Sequence, residues 1–373
     1  MINNVCTNIL SLSVGIIGGA DGPTTVVVSG GISRLALITM VIICVIAAFI
    51  LQIIIHEGGH MIFGLLSGYK FLSFRVFNLM IAKTEEGLKL KKFSLAGTLG
   101  QCLMRPPALT EGEKLPYFMY NIGGVLMNLI TAVVGFVILL CWKEILWVRI
   151  LLLELIYMGI VLGLMNGIPF SVKVMANDGR NIVSMKKSKE AIRGLWLQME
   201  VMALISEGVR LKDMPEEWFR MPSEEDMKDH VAATIAVFAC NRALDKMDFE
   251  ETKRIGTQTI SNSSGALGLH KALISIDLMY CEMVGGNRQD VIDNYLTKNV
   301  KKVQKAMSKF LPVLRTQYTR ELLCNKDEKT AEAVLVKFEK AAKNHPYSIE
   351  IDSERELIEY ARQRYEHTAQ GDT

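Results

Sequence analysis

The sequence predicts a mainly α-helical protein in which a membrane helix bundle with three core spans is followed by a soluble, all-α, tetratricopeptide-like domain. Half of the 373 residues are hydrophobic and yet 22% are charged, a mixture that a single soluble domain explains poorly. The charged residues are also unevenly distributed, because residues 35–55 carry none and the chain beyond Met185 is rich in them. We therefore predict three parts, namely an N-terminal apolar, glycine-rich segment 1–33, a membrane-embedded core 34–184 and a cytoplasmic helical domain 185–373.

The N-terminal segment combines apolar residues with helix-breaking ones. Residues 9–17 are apolar, but the sequence GGADGP follows at residues 18–23. Glycine pairs and an internal proline disfavour a continuous membrane helix. We expect a re-entrant or interfacial segment here, or a fourth, broken span.

Three later stretches are long and apolar enough to cross a bilayer as helices, which takes about 20 residues. They cover residues 35 to about 66, 117–142 and 145 to about 170. Lysine and arginine are frequent in the loop between the first two stretches and again after the third, whereas the second connection offers only Lys143. Because cytoplasmic loops carry the excess of basic residues, we predict an integral protein of a bacterial cell membrane whose C-terminal domain is cytoplasmic.

Composition also argues against some classes of function. The net charge of +3 gives no sign of a nucleic-acid partner. The seven cysteines are scattered singly and form no CxxC pair, so we predict neither a disulfide framework nor a cysteine metal site.

The end of the first span carries the motif HEGGH, at residues 56–60. In a helix, His56 and His60 lie on one face, so both imidazoles can reach one metal ion, and Glu57 lies beside the first of them. A catalytic zinc ion needs three protein ligands and an open fourth position. The alternative is a histidine pair that meets lipid headgroups at a helix end. Two histidines and a glutamate are costly to keep near a membrane without a purpose, which favours the metal site.

A candidate for the third ligand follows the third span. Asn166 opens an NGIP sequence, and Asp178 of a DG pair comes nine residues after Pro169. The proline ends the helix, and the loop behind it can fold back and bring the aspartate to the metal. In the second span, Gly124 allows close approach of helices. Asn128, four residues further on, is expected either to bind a substrate backbone or oxyanion, or to make a structural hydrogen bond between helices.

Taken together, these motifs resemble those of the site-2 protease family of intramembrane zinc metalloproteases, over roughly residues 35–180. The resemblance implies three zinc ligands, which are His56, His60 and Asp178. It also implies that Glu57 is the catalytic base and that zinc is the cofactor. Asn128 and Asn166 are the candidates for helping to hold the oxyanion. One departure is the stretch before the aspartate, which is longer than the compact spacing common in the family.

Two further regions have their own patterns. Residues 71–77 alternate between apolar and polar side chains, which predicts a strand, and a second strand is expected near residues 88–95. Such strands either hold a substrate in extended form by edge pairing or belong to a loop on the membrane surface. In the C-terminal domain, amphipathic helices such as one near residues 224–246 predict a repeat-like array. That domain is expected to bind a protein partner or present substrate, or else to be a stabilising tail.

We therefore expect an intramembrane zinc metalloendopeptidase that cleaves a membrane-anchored protein or peptide precursor near the cytoplasmic side of the bilayer. Two other classes of function stay open. One is a non-catalytic membrane scaffold with a structural metal site, against which the intact Glu57 argues because a structural site does not need that carboxylate. The other is an ion-coupled transport component that uses Asp21 and Glu154.

Overall fold

The computed structural model describes residues 13–19, 22–29, 33–84, 87–92, 98–109, 114–141, 145–170, 176–261 and 263–371. These residues are mostly helical, which confirms the predicted mainly α-helical class at this coarser level. The chain forms two compact units. The first consists of Met1–Gln52 and Asn128–Leu162, and the second of Ile53–Met127 and Gly163–Thr373.

The first unit begins with an antiparallel hairpin. Strand β1 (Ser13–Gly19) pairs with strand β2 (Gly22–Ser29), in a register that runs from Ser13 opposite Ser29 to Gly19 opposite Gly22. Extended backbone therefore occupies the part of the N-terminal segment that the structure describes. Asp21, on which the transport hypothesis depends, lies outside the described residues.

Three long apolar helices occupy the predicted span positions, and each is long and apolar enough to cross a membrane. They are α1 (Arg34–Leu66), α2 (Tyr117–Cys141) and α3 (Leu146–Gly167). A helix of 33 residues, such as α1, is about 50 Å long, whereas the hydrocarbon core is about 30 Å thick. The last turns of α1 therefore extend beyond the length that a span requires, and the HEGGH motif lies in those turns.

A four-stranded antiparallel sheet follows α1 in the second unit, with strand order β5-β4-β3-β6. Its strands are β3 (Lys70–Val76), β4 (Leu79–Thr84), β5 (Gly87–Lys92) and β6 (Gly100–Arg105). The strand predicted over residues 71–77 is β3, and the second predicted strand corresponds to β5, so both predictions are confirmed. On one face, Met80 and Ala82 are buried in a core that also contains Leu197 and Val201 of the helical region.

The helical region is built from ten α-helices among the described residues, together with short 3-10 turns and a π-helical turn at Arg320–Cys324. They are α4 (Asp178–Lys187), α5 (Lys189–Ser206), α6 (Ala233–Asp245), α7 (Phe249–Ile260), α8 (Gly268–Val284), α9 (Gln289–Tyr295), α10 (Lys298–Ala306), α11 (Leu311–Thr319), α12 (Glu328–Ala342) and α13 (Ser348–Gly371). Helix α8 is central, since most of its residues are buried and it packs against α7, α9, α10 and α11. The sheet is attached to this region by Arg105, whose Nε donates to both carboxylate oxygens of Glu200 at 3.1 Å.

Candidate metal centre

Two imidazoles and a carboxylate converge in the second unit. His56 Nε2 lies 3.2 Å from His60 Nε2, and Asp178 Oδ2 lies 3.2 Å from the first nitrogen and 3.5 Å from the second. The histidines are one turn apart on α1, and the aspartate is the first residue of α4. The side chains are only 11%, 10% and 19% exposed. The structure thus brings together the three residues that the sequence predicted as metal ligands.

The donor atoms of this group fit a tetrahedral zinc ion. With bonds of about 2.0–2.1 Å to nitrogen and oxygen, the ligand atoms of such an ion lie about 3.3 Å apart, and the three observed separations are 3.2, 3.2 and 3.5 Å. Asp178 Oδ2 is buried and has no hydrogen-bond donor among the described residues. A cation at the centre of the triangle would satisfy that oxygen. His56, His60 and Asp178 are therefore the residues that could hold zinc.

Asn177 positions Asp178, and sequence reasoning missed it. Its side-chain oxygen accepts from Arg180 N at 2.9 Å and so caps the N-terminus of α4. Its amide nitrogen donates to the carbonyl oxygens of Met165 and Ile168, both at 2.6 Å. One side chain therefore joins the end of α3 to the start of α4. Asparagine is a preferred N-cap, so its place directly before the DG pair was a usable sequence signal.

Tyr120 orients His60 from helix α2. The carbonyl oxygen of Tyr120 lies 2.7 Å from His60 Nδ1, so we assign the ring proton to that nitrogen. The proton donates to the carbonyl, and the lone pair of Nε2 then faces the aspartate and the metal position. A second hydrogen bond of this kind is the usual way in which a metal-binding histidine is fixed. The HEGGH motif contains no signal for this partner, which comes from tertiary structure.

Charge also favours an ionised Asp178. Burial alone would raise the pKa of this carboxyl group, but the two imidazoles beside it, those of His60 and His56, lower it by more when they are protonated. The pKa of Asp178 therefore lies below its usual value, and the side chain is a carboxylate over the whole physiological range. A negatively charged oxygen ligand beside two imidazoles matches the donor set that zinc takes in proteins.

Glu57 is buried next to the candidate metal ligands and is confined by the sheet. It is 8% exposed. A Cβ atom placed on Gly100, the first residue of β6, would come 2.7 Å from Glu57 Cγ and 2.8 Å from Cδ. The side chain of Glu57 thus lies directly against the backbone of β6. A carboxylate beside the ligand set, in a site with little solvent, is the arrangement that a general base requires.

Arg75 of strand β3 is a fully buried cation. It is 1% exposed, and its Nη1 donates to Phe77 O at 2.8 Å while Nη2 donates to Thr98 Oγ1. Burial lowers the pKa of Arg75, and the charge of Glu57 acts in the opposite direction. The arginine therefore holds the chain just before Gly100 and places a positive charge that attracts Glu57. The alternating pattern of residues 71–77 predicted a strand but gave no signal for this role of Arg75.

The two predicted asparagines have different surroundings. Asn128 is fully buried in the first unit, where its Nδ2 donates to Gln52 Oε1 at 2.7 Å and to Gln52 O at 3.2 Å. This contact corresponds to the structural hydrogen bond between helices that the sequence left as one of two possibilities. Asn166 lies in the last turn of α3, and its carbonyl oxygen would be 3.2 Å from a Cβ atom on Gly179. Its backbone therefore packs against the DG pair that carries Asp178.

Gly124 of α2 leaves the space that the two imidazoles occupy. A Cβ atom there would lie 2.6 Å from His56 Cε1 and 2.7 Å from His60 Nε2. A glycine at position 124 is thus required by the histidine pair itself. No family model matches this chain, and no curated protein or solved structure matches it.

Proposed function

We propose that this chain is a membrane-embedded zinc metalloendopeptidase that cleaves a membrane-anchored protein or peptide precursor near the cytoplasmic side of the bilayer. The observation that carries the proposal is the triangle formed by His56, His60 and Asp178 with Glu57 beside it. Three protein ligands with an open fourth position are typical of catalytic zinc sites. A scaffold with a structural metal ion has no use for the additional buried carboxylate of Glu57.

The chemistry divides between the metal and the chain. Zinc, when bound, would polarise the scissile carbonyl and lower the pKa of water. Glu57 takes the proton from the attacking water and passes it to the leaving amine, which balances the hydrolysis. Gly100 and Arg75 keep the Glu57 carboxylate in place, and Tyr120 keeps His60 in the tautomer that presents Nε2.

Strand β6 is the surface that we propose for the substrate backbone. Among the described residues, β6 pairs with a strand on one side only, that of β3. Its first residue, Gly100, contacts Glu57. An extended segment added to the other edge of β6 would therefore reach the general base. Edge pairing of this kind gives affinity through main-chain hydrogen bonds and is used widely for peptide recognition.

The membrane setting follows from helix composition and charge. The three apolar helices are long enough to cross a bilayer, and the loop between the first two is rich in lysine and arginine. By the positive-inside rule, that loop and the C-terminal helices are cytoplasmic. We further propose that the helical region is tetratricopeptide-like and binds a protein partner or presents substrate, because its helices pair in sequence order, α6 with α7 and α7 with α8.

The experiment that tests the metal site is a measurement of zinc in the full chain, purified in detergent under zinc-replete conditions. We expect about one zinc ion per wild-type chain, as a single catalytic site requires, and loss of zinc in His56→Ala and in Asp178→Ala. Matched controls are His367→Ala and Asp213→Asn, which change exposed side chains of the helical region and should keep the metal.

The experiment that tests catalysis uses Glu57→Gln. The variant and wild type are reconstituted with a membrane protein fraction, and new protein N-termini are detected by mass spectrometry. We expect Glu57→Gln to keep its zinc and to generate no new N-termini above the background of a protein-free sample. If wild type binds zinc but cleaves no protein, the scaffold hypothesis is favoured. If wild type binds no zinc, the metalloprotease proposal is refuted.

A further inference from the structure

The helical region contains a partly open cavity of ≈ 200 Å³, and none of its lining residues belongs to the candidate metal centre. Helices α6, α8, α11 and α13 line it, together with the chain that leads out of α5. An apolar cavity of about 150 Å³ is large enough to bind benzene, so this cavity has room for a small organic group. Part of its lining is apolar and includes Leu273, Ile274 and Phe310.

The polar part of the lining is dominated by carboxylates. The acidic lining residues are Asp245, Asp277, Glu350 and Glu354. Among the lining residues that the structure describes, Arg210 is the single arginine or lysine. Behind the lining, Arg315 is fully buried. Acidic groups are rarely enclosed in a protein interior without matching cations, so the balance of charge around this cavity is informative.

Two arginines and one histidine neutralise part of the negative charge. Arg210 contacts Asp245 at 2.6 Å and His345 contacts Glu350 at 2.6 Å, whereas Arg315 is shared between Asp277, at 2.6 Å, and Glu354, at 3.2 Å. Four acidic groups thus share two guanidinium groups and one histidine, and Glu354 has no cation of its own. The lining therefore has one more acidic group than it has cationic partners.

Two buried atoms of the lining residues have no hydrogen-bond partner among the described residues. They are Oε2 of Glu354 and Nδ1 of His270. Burial raises the pKa of Glu354 to about 7, although Arg315 Nη1 lies 3.2 Å from that oxygen. Burial also lowers the pKa of His270, so its imidazole adds no charge at neutral pH. A buried acceptor without a donor costs free energy, and a bound donor removes that cost.

We propose that this cavity binds a primary ammonium group carried on a small aliphatic body. The ammonium group has three donors and no acceptor, so it matches a lining of carboxylate oxygens such as those of Glu354 and Asp277. The aliphatic body would lie against Leu273 and Ile274, in the manner usual for small-molecule sites. The N-terminal residue of a peptide and a free small amine both present this group. The site is independent of the proposed protease function.

The test compares two probes on the wild-type full chain in detergent by isothermal titration calorimetry. Leucine amide carries the ammonium group and an isobutyl side chain, whereas N-acetyl-leucine amide has the same body without the charge. We expect leucine amide to bind about tenfold to a hundredfold more tightly, since a hydrogen bond to a charged group is worth that ratio. Equal affinities, or binding of neither probe at millimolar concentration, would overturn the proposal.

Two variants test whether binding occurs at this cavity, and a third probe distinguishes a peptide N-terminus from a free amine. Glu354→Gln should weaken leucine amide binding about tenfold or more, whereas Glu366→Gln, at an exposed position of α13, should leave it unchanged. Unchanged binding in Glu354→Gln would contradict the site. The wild-type comparison of probes does not depend on the folding of either variant. A tripeptide Leu-Ala-Ala that binds more tightly than leucine amide would identify a peptide N-terminus as the ligand, and equal binding would identify a free amine.

Discussion

The backbone of Gly100 lies against the side chain of Glu57, so closely that a Cβ atom on the glycine would come 2.7 Å from Glu57 Cγ. Carbon atoms in normal contact are about 3.5–4.0 Å apart. The affected atoms belong to the end of a rotatable side chain, so a methyl group would move the carboxylate without breaking the sheet. The position of the proposed general base therefore depends on a glycine in β6.

Gly100→Ala should keep zinc and lose most of the cleavage activity. Displacement of a catalytic group by about 1 Å can reduce the rate by about a hundredfold, and the metal ligands are not touched by the change. The measurement is the rate of formation of new N-termini together with the zinc content of the purified variant. A wild-type rate of cleavage in Gly100→Ala would show that contact with β6 does not determine the position of the Glu57 carboxylate.

Substitution by alanine should have opposite effects on stability at the two glycines in the middle of the HEGGH motif. A Cβ atom on Gly59 would lie 2.7 Å from Gly123 C and 2.9 Å from Gly124 Cα, whereas one on Gly58 meets nothing within 4 Å. Because the contacted atoms of α2 belong to the backbone, they cannot rotate away as a side chain can. Gly59→Ala must therefore move α1 and α2 apart, which should lower the free energy of unfolding by about 1–3 kcal/mol.

Gly58→Ala is the matched control for Gly59→Ala and, as a change from glycine to alanine, for Gly100→Ala. Alanine is the better helix former by up to about 1 kcal/mol, so this variant should be as stable as wild type or more so. The measurement is the midpoint of unfolding as SDS replaces the mild detergent. Equal midpoints for the two alanine variants would contradict the close approach of α1 and α2 at Gly59.

Asn177→Ala should weaken zinc binding although Asn177 is not a ligand. The substitution removes the cap of α4 and the two bonds to the end of α3, so Asp178 is no longer held in position. Loss of a group that orients a ligand reduces metal affinity about tenfold to a hundredfold. Competition with a chelator of known affinity measures the effect. Asn344→Ala, at an exposed position, is the control. Equal zinc affinity in both variants would show that Asn177 does not hold Asp178 in position.

Glu354 should make the folded chain less stable as the pH rises toward neutrality. Its pKa in the folded state is about 7, against 4.5 as its ordinary value. A group whose folded pKa is raised contributes stability that is fully present below the ordinary value and is lost as pH rises through the folded value. The loss amounts to at most about 3 kcal/mol.

The measurement is thermal unfolding of the full chain in detergent at pH values from about 5 to about 8. Wild type should lose stability relative to Glu354→Gln over this interval, because glutamine does not ionise. Curves that stay parallel would show that Glu354 keeps an ordinary pKa in the folded chain.

The sequence predicted the group formed by His56, His60 and Asp178 because each of these residues belongs to a local pattern. The spacing of His56 and His60 by one helical turn places both on one face of a helix, and a run of apolar residues identifies α1 without any tertiary information. Asp178 was predicted as the third candidate from its DG pair and the preceding proline. Its support by Asn177 was missed, although the N-cap preference of asparagine made it accessible.

Other features depend on contacts between distant parts of the chain, for which one sequence has no signal. Arg75 was predicted as a strand residue, but its burial beside Glu57 follows from the pairing of β3 with β6. The helix expected near residues 224–246 begins only at Ala233. Asp229 Oδ1 accepts from Val231 N at 2.9 Å and from Ala232 N at 3.2 Å, so a local turn replaces the first helical residues.

The last prediction concerns Asn128, for which the sequence left a catalytic and a structural role open. Asn128 Nδ2 donates to two oxygen atoms of Gln52, and Gln52 Nε2 donates in turn to Leu155 O at 2.8 Å. These contacts connect α1, α2 and α3 through fully buried amides. Hydrogen bonds between membrane helices are worth about 0.6 kcal/mol on average and up to about 1.7 kcal/mol. We expect Asn128→Ala and Gln52→Ala to be coupled by an energy in that range.

A double-mutant cycle, read from unfolding midpoints in SDS, measures the coupling. A second cycle pairs Asn128→Ala with Ile46→Ala, which changes an exposed apolar side chain of α1, and should give a coupling near zero. In the structural role, Asn128→Ala lowers stability while the cleavage rate per zinc-loaded chain stays close to that of wild type. If cleavage is lost while stability and coupling do not change, Asn128 acts on the oxyanion, because only a contact made during the reaction can affect the rate without affecting the fold.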